Sequence, residues 1–135
     1  MKIIINERMP SINHLYYHRP PFGTKTLSVK AKSLRERIIK ITHEQADEQK
    51  YNLKEWDGKL LKVRVEIYED WWTKKHTVKK KDIANKEKFL IDSIMTGLGL
   101  DDSFIWEHIM CKIDSEDLKA VISIEKWTPR PQSAK

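Results

Sequence analysis

The sequence has little of the material that builds several common protein classes. It contains one cysteine, Cys111, which excludes an internal disulfide framework and a cysteine-rich zinc site. Four glycines and five prolines exclude a collagen-like chain. The longest apolar stretches, such as residues 3–5, are far shorter than the ~20 residues that a membrane helix needs. No charged-then-apolar leader opens the sequence, so we expect no secretory signal and a cytoplasmic protein.

What is present is a short chain rich in charge. Its 135 residues are enough for one domain with one hydrophobic core. Lysine and arginine outnumber aspartate and glutamate by 26 to 20, which gives a net charge of +6. This excess makes a polyanion a plausible partner, although many basic proteins bind none.

The hydrophobic periodicity predicts short strands separated by two main helices. Strands are expected at 2–5, 26–29, 63–67, 103–113 and 118–124, helices at 33–50 and 85–98, and irregular chain at 9–23. Ser33 is the predicted N-cap of the first helix, and Gly97 and Gly99 are the predicted terminators of the second. We therefore expect a single α+β domain over residues 1–127, with a mixed or mostly antiparallel sheet packed by two helices. The last two strands are predicted to form a hairpin, and 128–135 a flexible tail.

The most informative stretch begins at residue 74. Residues 74–88 contain seven lysines, which indicates either a solvated surface or one that follows a nucleic-acid backbone. Asp82, Asp92 and the pair Asp101-Asp102 lie in and after this run. Acids gathered in a basic groove repel one another unless a hard cation binds, and Mg²⁺ takes one or two carboxylates together with waters and phosphate oxygens. That combination suits metal-assisted phosphodiester hydrolysis, although an aspartate pair after a helix is more often a turn or a cap.

The order of these motifs resembles the RusA family of Holliday junction resolvases. Residues 81–88 (KDIANKEK), 91–94 (IDSI) and 99–102 (GLDD) resemble the family's central signature. PSIN at 10–13, YYHR at 16–19, Ser28 and the helix with Arg35 resemble its opening. The resemblance implies a homodimeric endonuclease of DNA recombination and repair. It would cut four-way junctions symmetrically with Mg²⁺ or Mn²⁺, without a small-molecule cofactor or a membrane. A nucleoid-associated protein, of prophage or viral origin in some cases, is the corresponding expectation.

By this resemblance, Asp82 and Asp102 match metal-binding aspartates and Lys88 matches a lysine needed for cleavage. Asp92 matches a further motif position. Ala84 departs from the pattern because it stands where the family has a second metal-binding aspartate, and a methyl group cannot bind a cation.

Two explanations of Ala84 compete. Either Asp101 or Glu87 replaces the missing ligand, or the metal site is weakened and the protein binds junctions without cutting them well. We favour the first, with Asp101 as the third expected ligand. A third hypothesis is a basic scaffold or RNA-binding protein whose acids only cap helices and turns.

Several residues are expected to contact DNA or to pack. The candidates for DNA contact are Lys79, Lys80 and Lys81 from the lysine run and, by the resemblance, Asn13, Tyr17, Arg19 and Asn85. For the tryptophans at 71, 72 and 106, packing or an interface is favoured over stacking on unpaired bases. Cys111 is expected to be a buried small apolar residue.

Overall fold

The computed structural model describes residues 1–10, 16–19, 24–79 and 84–129. Its strands are β1 (Lys2–Ile5), β2 (Tyr16–Arg19), β3 (Thr24–Leu27), β4 (Leu61–Glu69), β5 (Ile105–Asp114) and β6 (Lys119–Lys126). Within these residues the α-helices are α1 (Val29–Glu48) and α2 (Ala84–Leu98), and single 3₁₀ turns span Leu53–Glu55 and Asp102–Phe104. This confirms the α+β class.

Four strands form a mixed sheet in the order β1-β6-β4-β5. β6 pairs antiparallel with both β1 and β4, whereas β5 pairs parallel with β4. The predicted hairpin between the last two strands is therefore wrong, because they lie on opposite sides of β4. The apolar content of the strands explains why β4 rather than β5 is central. Val63, Val65 and Ile67 of β4 are at most 1% exposed, which suits a central strand. Every residue of β5 stays at least partly exposed, which suits an edge.

The beginning of α1 also differs from the prediction. Ser28 is the N-cap, and its hydroxyl accepts a hydrogen bond from the Ala31 N–H at 3.2 Å. Ser33 lies inside the helix, where its hydroxyl accepts from Arg37 at 3.1 Å. The strand predicted at 26–29 accordingly ends at Leu27, and the segment predicted to be irregular contains β2, which pairs with β3.

The two helices approach each other closely at Gly97. A Cβ built on this glycine would lie 3.1 Å from Thr42 Cβ and 3.3 Å from Ile39 Cα. Gly97 was predicted to end α2, but it lies within the helix and permits this contact with α1. Gly99, with φ of +67°, does end the helix as predicted. The core between helices and sheet includes Ile3, Ile38, Leu90, Ile94 and Ile122, all fully buried.

A buried ion pair fixes the start of α2. Lys86 Nζ lies 3.1 Å from Glu69 Oε2 at the end of β4, with side chains 4% and 3% exposed. Nζ also donates to the carbonyl oxygen of Met9 at 2.6 Å. Three segments distant in sequence are therefore joined at one point. Within the described ranges, no helix is long and apolar enough to cross a membrane.

Candidate active site

An open cleft of about 330 Å³ lies where α1, α2 and the following turn meet. Its charged lining consists of Arg35 from α1, Asp92 from α2, and Asp101 and Asp102 from the turn. Phe89 and Leu100 contribute apolar surface beside them. The cleft therefore gathers three acids and one cation from two helices and a turn.

The turn after α2 brings its aspartates back beside the helix. Gly99 N–H donates to Thr96 O at 3.1 Å, and Leu100 N–H donates to Met95 O at 3.0 Å. This pair of bonds is the Schellman arrangement, which requires a residue with positive φ after the helix. Because the chain reverses here, Asp102 returns to the side chain of Asp92, ten positions earlier in the sequence.

The pKa of Asp92 reflects this proximity. Burial raises the pKa of Asp92, and the charge of Asp102 and a hydrogen bond between the two carboxyl groups raise it further. Lys88 and Arg35 act in the opposite direction and lower the pKa of Asp92. Asp92 and Asp102 therefore repel each other when both are charged, and Lys88 and Arg35 partly offset this repulsion. A divalent cation or a phosphate group bound here would strongly change the pKa of Asp92.

Lys88 projects from α2 one turn before Asp92. Residues four apart share a helix face, and the exposed Lys88 lowers the pKa of both Glu87 and Asp92. Burial and Asp92 raise the pKa of Glu87. Burial lowers the pKa of His108 on β5. His108 Nε2 lies 3.1 Å from Glu87 Oε1.

Asp101 has a structural task in the turn. Its side chain caps the 3₁₀ turn by accepting a hydrogen bond from Ser103 N–H at 2.9 Å. This backbone hydrogen bond and one from the Ser103 side chain lower the pKa of Asp101. One of its two carboxylate oxygens is therefore already engaged.

The predicted site residues fall into three groups. Asp101 and Asp102 line the cleft, and the exposed Lys88 lies one helical turn before Asp92. Lys79 lies in a different cleft of about 110 Å³, with its Nζ 3.5 Å from Asp70 Oδ2. Outside the described residues, or with only their backbone described, lie Asp82, Lys80, Lys81, Asn13, Tyr17, Arg19 and Asn85.

The aromatic and cysteine predictions have mixed outcomes. Trp71 is 4% exposed and its Nε1–H donates to Ile67 O at 3.0 Å, which confirms packing. Trp106 is 63% exposed and meets Trp127 edge-on, with ring centroids 6.2 Å apart. Trp106 therefore packs against another ring at the surface, and an interface role stays a prediction. Cys111 is only half-buried, contrary to expectation.

No chemical role was predicted for Arg35, and only a motif position was predicted for Asp92. The spacing of Lys88 and Asp92 was a usable signal, since residues four apart in a helix lie together. Arg35 carried no such signal, because its approach to the cleft depends on how α1 packs against α2.

A family model described as endodeoxyribonuclease RusA matches residues 9–125, which is most of the chain. The match includes every residue of the cleft. A comparison with curated proteins gave no match.

Proposed function

Because the chain belongs to the RusA endodeoxyribonuclease family, we propose that it resolves Holliday junctions by paired, metal-dependent phosphodiester hydrolysis. Membership confirms the resemblance seen in the sequence and implies resolvase activity on branched DNA, in DNA recombination. The observation that carries the finer proposal is the convergence of Asp92 and Asp102 in one cleft, with the charge of Lys88 acting on Asp92 from the same helix.

The donor set fits a small hard cation. Among the described residues no three acidic, histidine or cysteine side chains gather closely enough to hold a metal. Mg²⁺ nevertheless needs only one or two carboxylates, because waters and phosphate oxygens complete its coordination. Asp92 and Asp102 supply two, and their repulsion is what a cation relieves. By the family resemblance Asp82 would join them.

We assign the replacement for the ligand lost at Ala84 to Asp92 rather than to Asp101 or Glu87. An oxygen of Asp101 caps the turn after α2. Glu87 Oε1 lies 3.1 Å from His108 Nε2. The carboxyl group of Asp92 instead interacts with that of Asp102, which raises the pKa of Asp92, so Asp92 already lies beside an expected ligand.

When bound, Mg²⁺ or Mn²⁺ supplies a lower pKa for an attacking water and shields the phosphate charge. The protein's own residues position the reacting groups and stabilise the charge that develops on them. Asp92 and Asp102 would hold the cation. The exposed ammonium of Lys88 lies beside Asp92, where it stabilises charge that develops on the phosphate or on the leaving oxygen.

The substrate also requires features beyond one cleft. Two symmetric nicks need two symmetric sites, which is why a homodimer is part of the proposal. Lys79, Lys80 and Lys81 would bind backbone phosphates through counterion release. Asn13, Tyr17, Arg19 and Asn85 would contact the junction, as the family resemblance implies.

The test is cleavage of a synthetic four-way junction in Mg²⁺. We expect paired symmetric nicks from the wild type and none from Asp102→Asn. Asp117→Asn is the matched control, because Asp117 is an exposed aspartate of the turn between β5 and β6, and it should cut like the wild type. Equal nicking by Asp102→Asn would contradict the assignment.

Ala84 supports a second candidate, a junction-binding protein that does not cut. High-affinity binding of the four-way junction, without nicks at any Mg²⁺ or Mn²⁺ concentration, would favour this candidate. Binding without preference for junctions over duplex DNA would contradict both and favour a general nucleic-acid or scaffold role.

A further inference from the structure

Arg35 is the positively charged residue in the lining of the cleft. It lies on α1, is half-buried, and lines the cleft together with Asp92, Asp101 and Asp102. Its charge lowers the pKa of Asp92, as does that of Lys88. The close contact between the helices at Gly97 determines how near α1 lies to α2, and therefore helps to place this guanidinium.

The contacts of Arg35 differ from those of its neighbour Arg37, one half-turn along α1. The Arg37 guanidinium is 3.0 Å from Glu7 Oε1 and 3.1 Å from Ser33 Oγ. Within the described part of the chain, Arg35 makes no hydrogen bond or ion pair that occupies its donors. A guanidinium presents five N–H donors in a rigid planar fork, so these donors are available to a ligand in the cleft.

The positive charge of Arg35 also offsets the negative charge that DNA and the aspartates bring to the cleft. Two carboxylates repel a DNA phosphate, and a divalent cation shared between them neutralises only part of the total charge. Arginine is always charged and can donate two parallel hydrogen bonds to a pair of phosphate oxygens. We propose that Arg35 binds the non-bridging oxygens of the phosphate at the cleavage position. This assignment rests on the proposed function, and Arg35 exchanges no proton in it.

A purely structural role for Arg35 makes a different prediction. If Arg35 only keeps Asp92 charged, then removing Arg35 weakens the site whatever the charge of the phosphate. If Arg35 contacts the phosphate, its effect disappears once that phosphate is neutral. A methylphosphonate linkage, which replaces one charged oxygen with a methyl group, distinguishes the two roles.

The experiment measures junction binding in EDTA and single-turnover cleavage in Mg²⁺. The variants are Arg35→Ala, Arg35→Gln and Arg35→Lys, with Arg37→Ala as the matched control. Circular dichroism verifies that each is folded, and Arg35→Gln replaces Arg35→Ala if the latter is not. We expect Arg35→Ala to cut about 100-fold more slowly, the usual effect of losing one donor to a developing negative charge. Arg35→Lys should be intermediate and Arg37→Ala within about twofold of wild type.

The binding series uses junctions with a methylphosphonate at each phosphate around the crossover in turn. Wild type should lose affinity at one position on each cut strand, and Arg35→Ala should show no loss there. An equal loss in both proteins would overturn the phosphate assignment while leaving nuclease activity intact. If the wild type never cuts but Arg35→Ala still abolishes the position-specific loss, the proposed function fails and the phosphate contact stands.

Discussion

Replacing Lys86 with methionine should destabilise this protein more than most single substitutions. Methionine retains most of the apolar stem of lysine but removes the ammonium, which lies 3.1 Å from Glu69 and 2.6 Å from Met9 O. Both side chains of the ion pair are at least 96% removed from solvent, with 4% and 3% exposed. The substitution therefore leaves the Glu69 carboxylate in the interior without this counter-charge.

The size of the effect follows from the burial. Breaking a buried ion pair on one side typically destabilises a protein by about 3–5 kcal/mol. The whole stability of a small domain is about 5–15 kcal/mol. For a chain of this length each kcal/mol shifts Tm by about 4 °C, so we expect Lys86→Met to lower Tm by about 12–20 °C.

Urea unfolding followed by circular dichroism measures this free energy directly. Lys88→Met is the matched control, because Lys88 lies two residues along the same helix with an exposed side chain, and its effect should stay within about 0.5 kcal/mol. The double variant Lys86→Met/Glu69→Leu should recover most of the loss, since a buried pair replaced by apolar groups is often neutral. A loss below about 1 kcal/mol for Lys86→Met would refute the reasoning, as would a double variant no more stable than the sum of the single changes predicts.

Four further predictions concern the cleft and its DNA. Burial and Asp102 raise the pKa of Asp92, so in EDTA the contribution of Asp92 to stability is present at low pH and is lost as pH rises from its unfolded-state pKa through its folded-state pKa. Asp92→Asn should therefore flatten that part of the curve of Tm against pH and raise Tm at pH 8. An unchanged curve would contradict this prediction. Mn²⁺ at 100 times its Kd should stabilise the wild type by about 2.7 kcal/mol, measured as a Tm rise that Asp102→Asn lacks. Ala84→Asp should increase Mn²⁺ affinity, measured by calorimetry, and the cleavage rate; no increase would argue against the missing-ligand explanation. Junction affinity should fall steeply with salt, and Lys79→Ala should reduce the slope of log K against log salt by about 0.9, whereas a slope equal to wild type would remove Lys79 from the interface.

The helices and the central strand were predictable because each depends on a local pattern. Val63, Val65 and Ile67 alternate with charged residues, and only a strand places all three on one face. Helix α2 was predicted to within one residue of its observed start, and its end at Leu98 was predicted correctly. These features need no knowledge of what lies opposite them.

The order of the strands was not predictable in this way. β5 and β6 are separated by a short acidic turn, and closeness in sequence favours a hairpin. The structure instead inserts β4 between them, because α2 carries the chain over the sheet and sets β5 parallel to β4. The choice depends on which strand has the most apolar surface to bury, and the half-exposed Trp-His-Met alternation of 106–110 was the signal for an edge.

Sequence spacing was equally limited in predicting the cleft. This limit bears on whether Ala84 abolishes activity. Motif spacing directed attention to Asp82 and Asp102, twenty positions apart. The approach of Asp92 to Asp102 depends on the reversal at Gly99, which spacing alone does not encode. Because α2 is rigid and the reversal is fixed by two backbone hydrogen bonds, Asp92 is held beside an expected metal ligand without any contribution from position 84. A nuclease of this geometry would therefore lose one aspartate at the start of α2 and keep two carboxylates, Asp92 two turns further along the same helix and Asp102 in the turn that follows it.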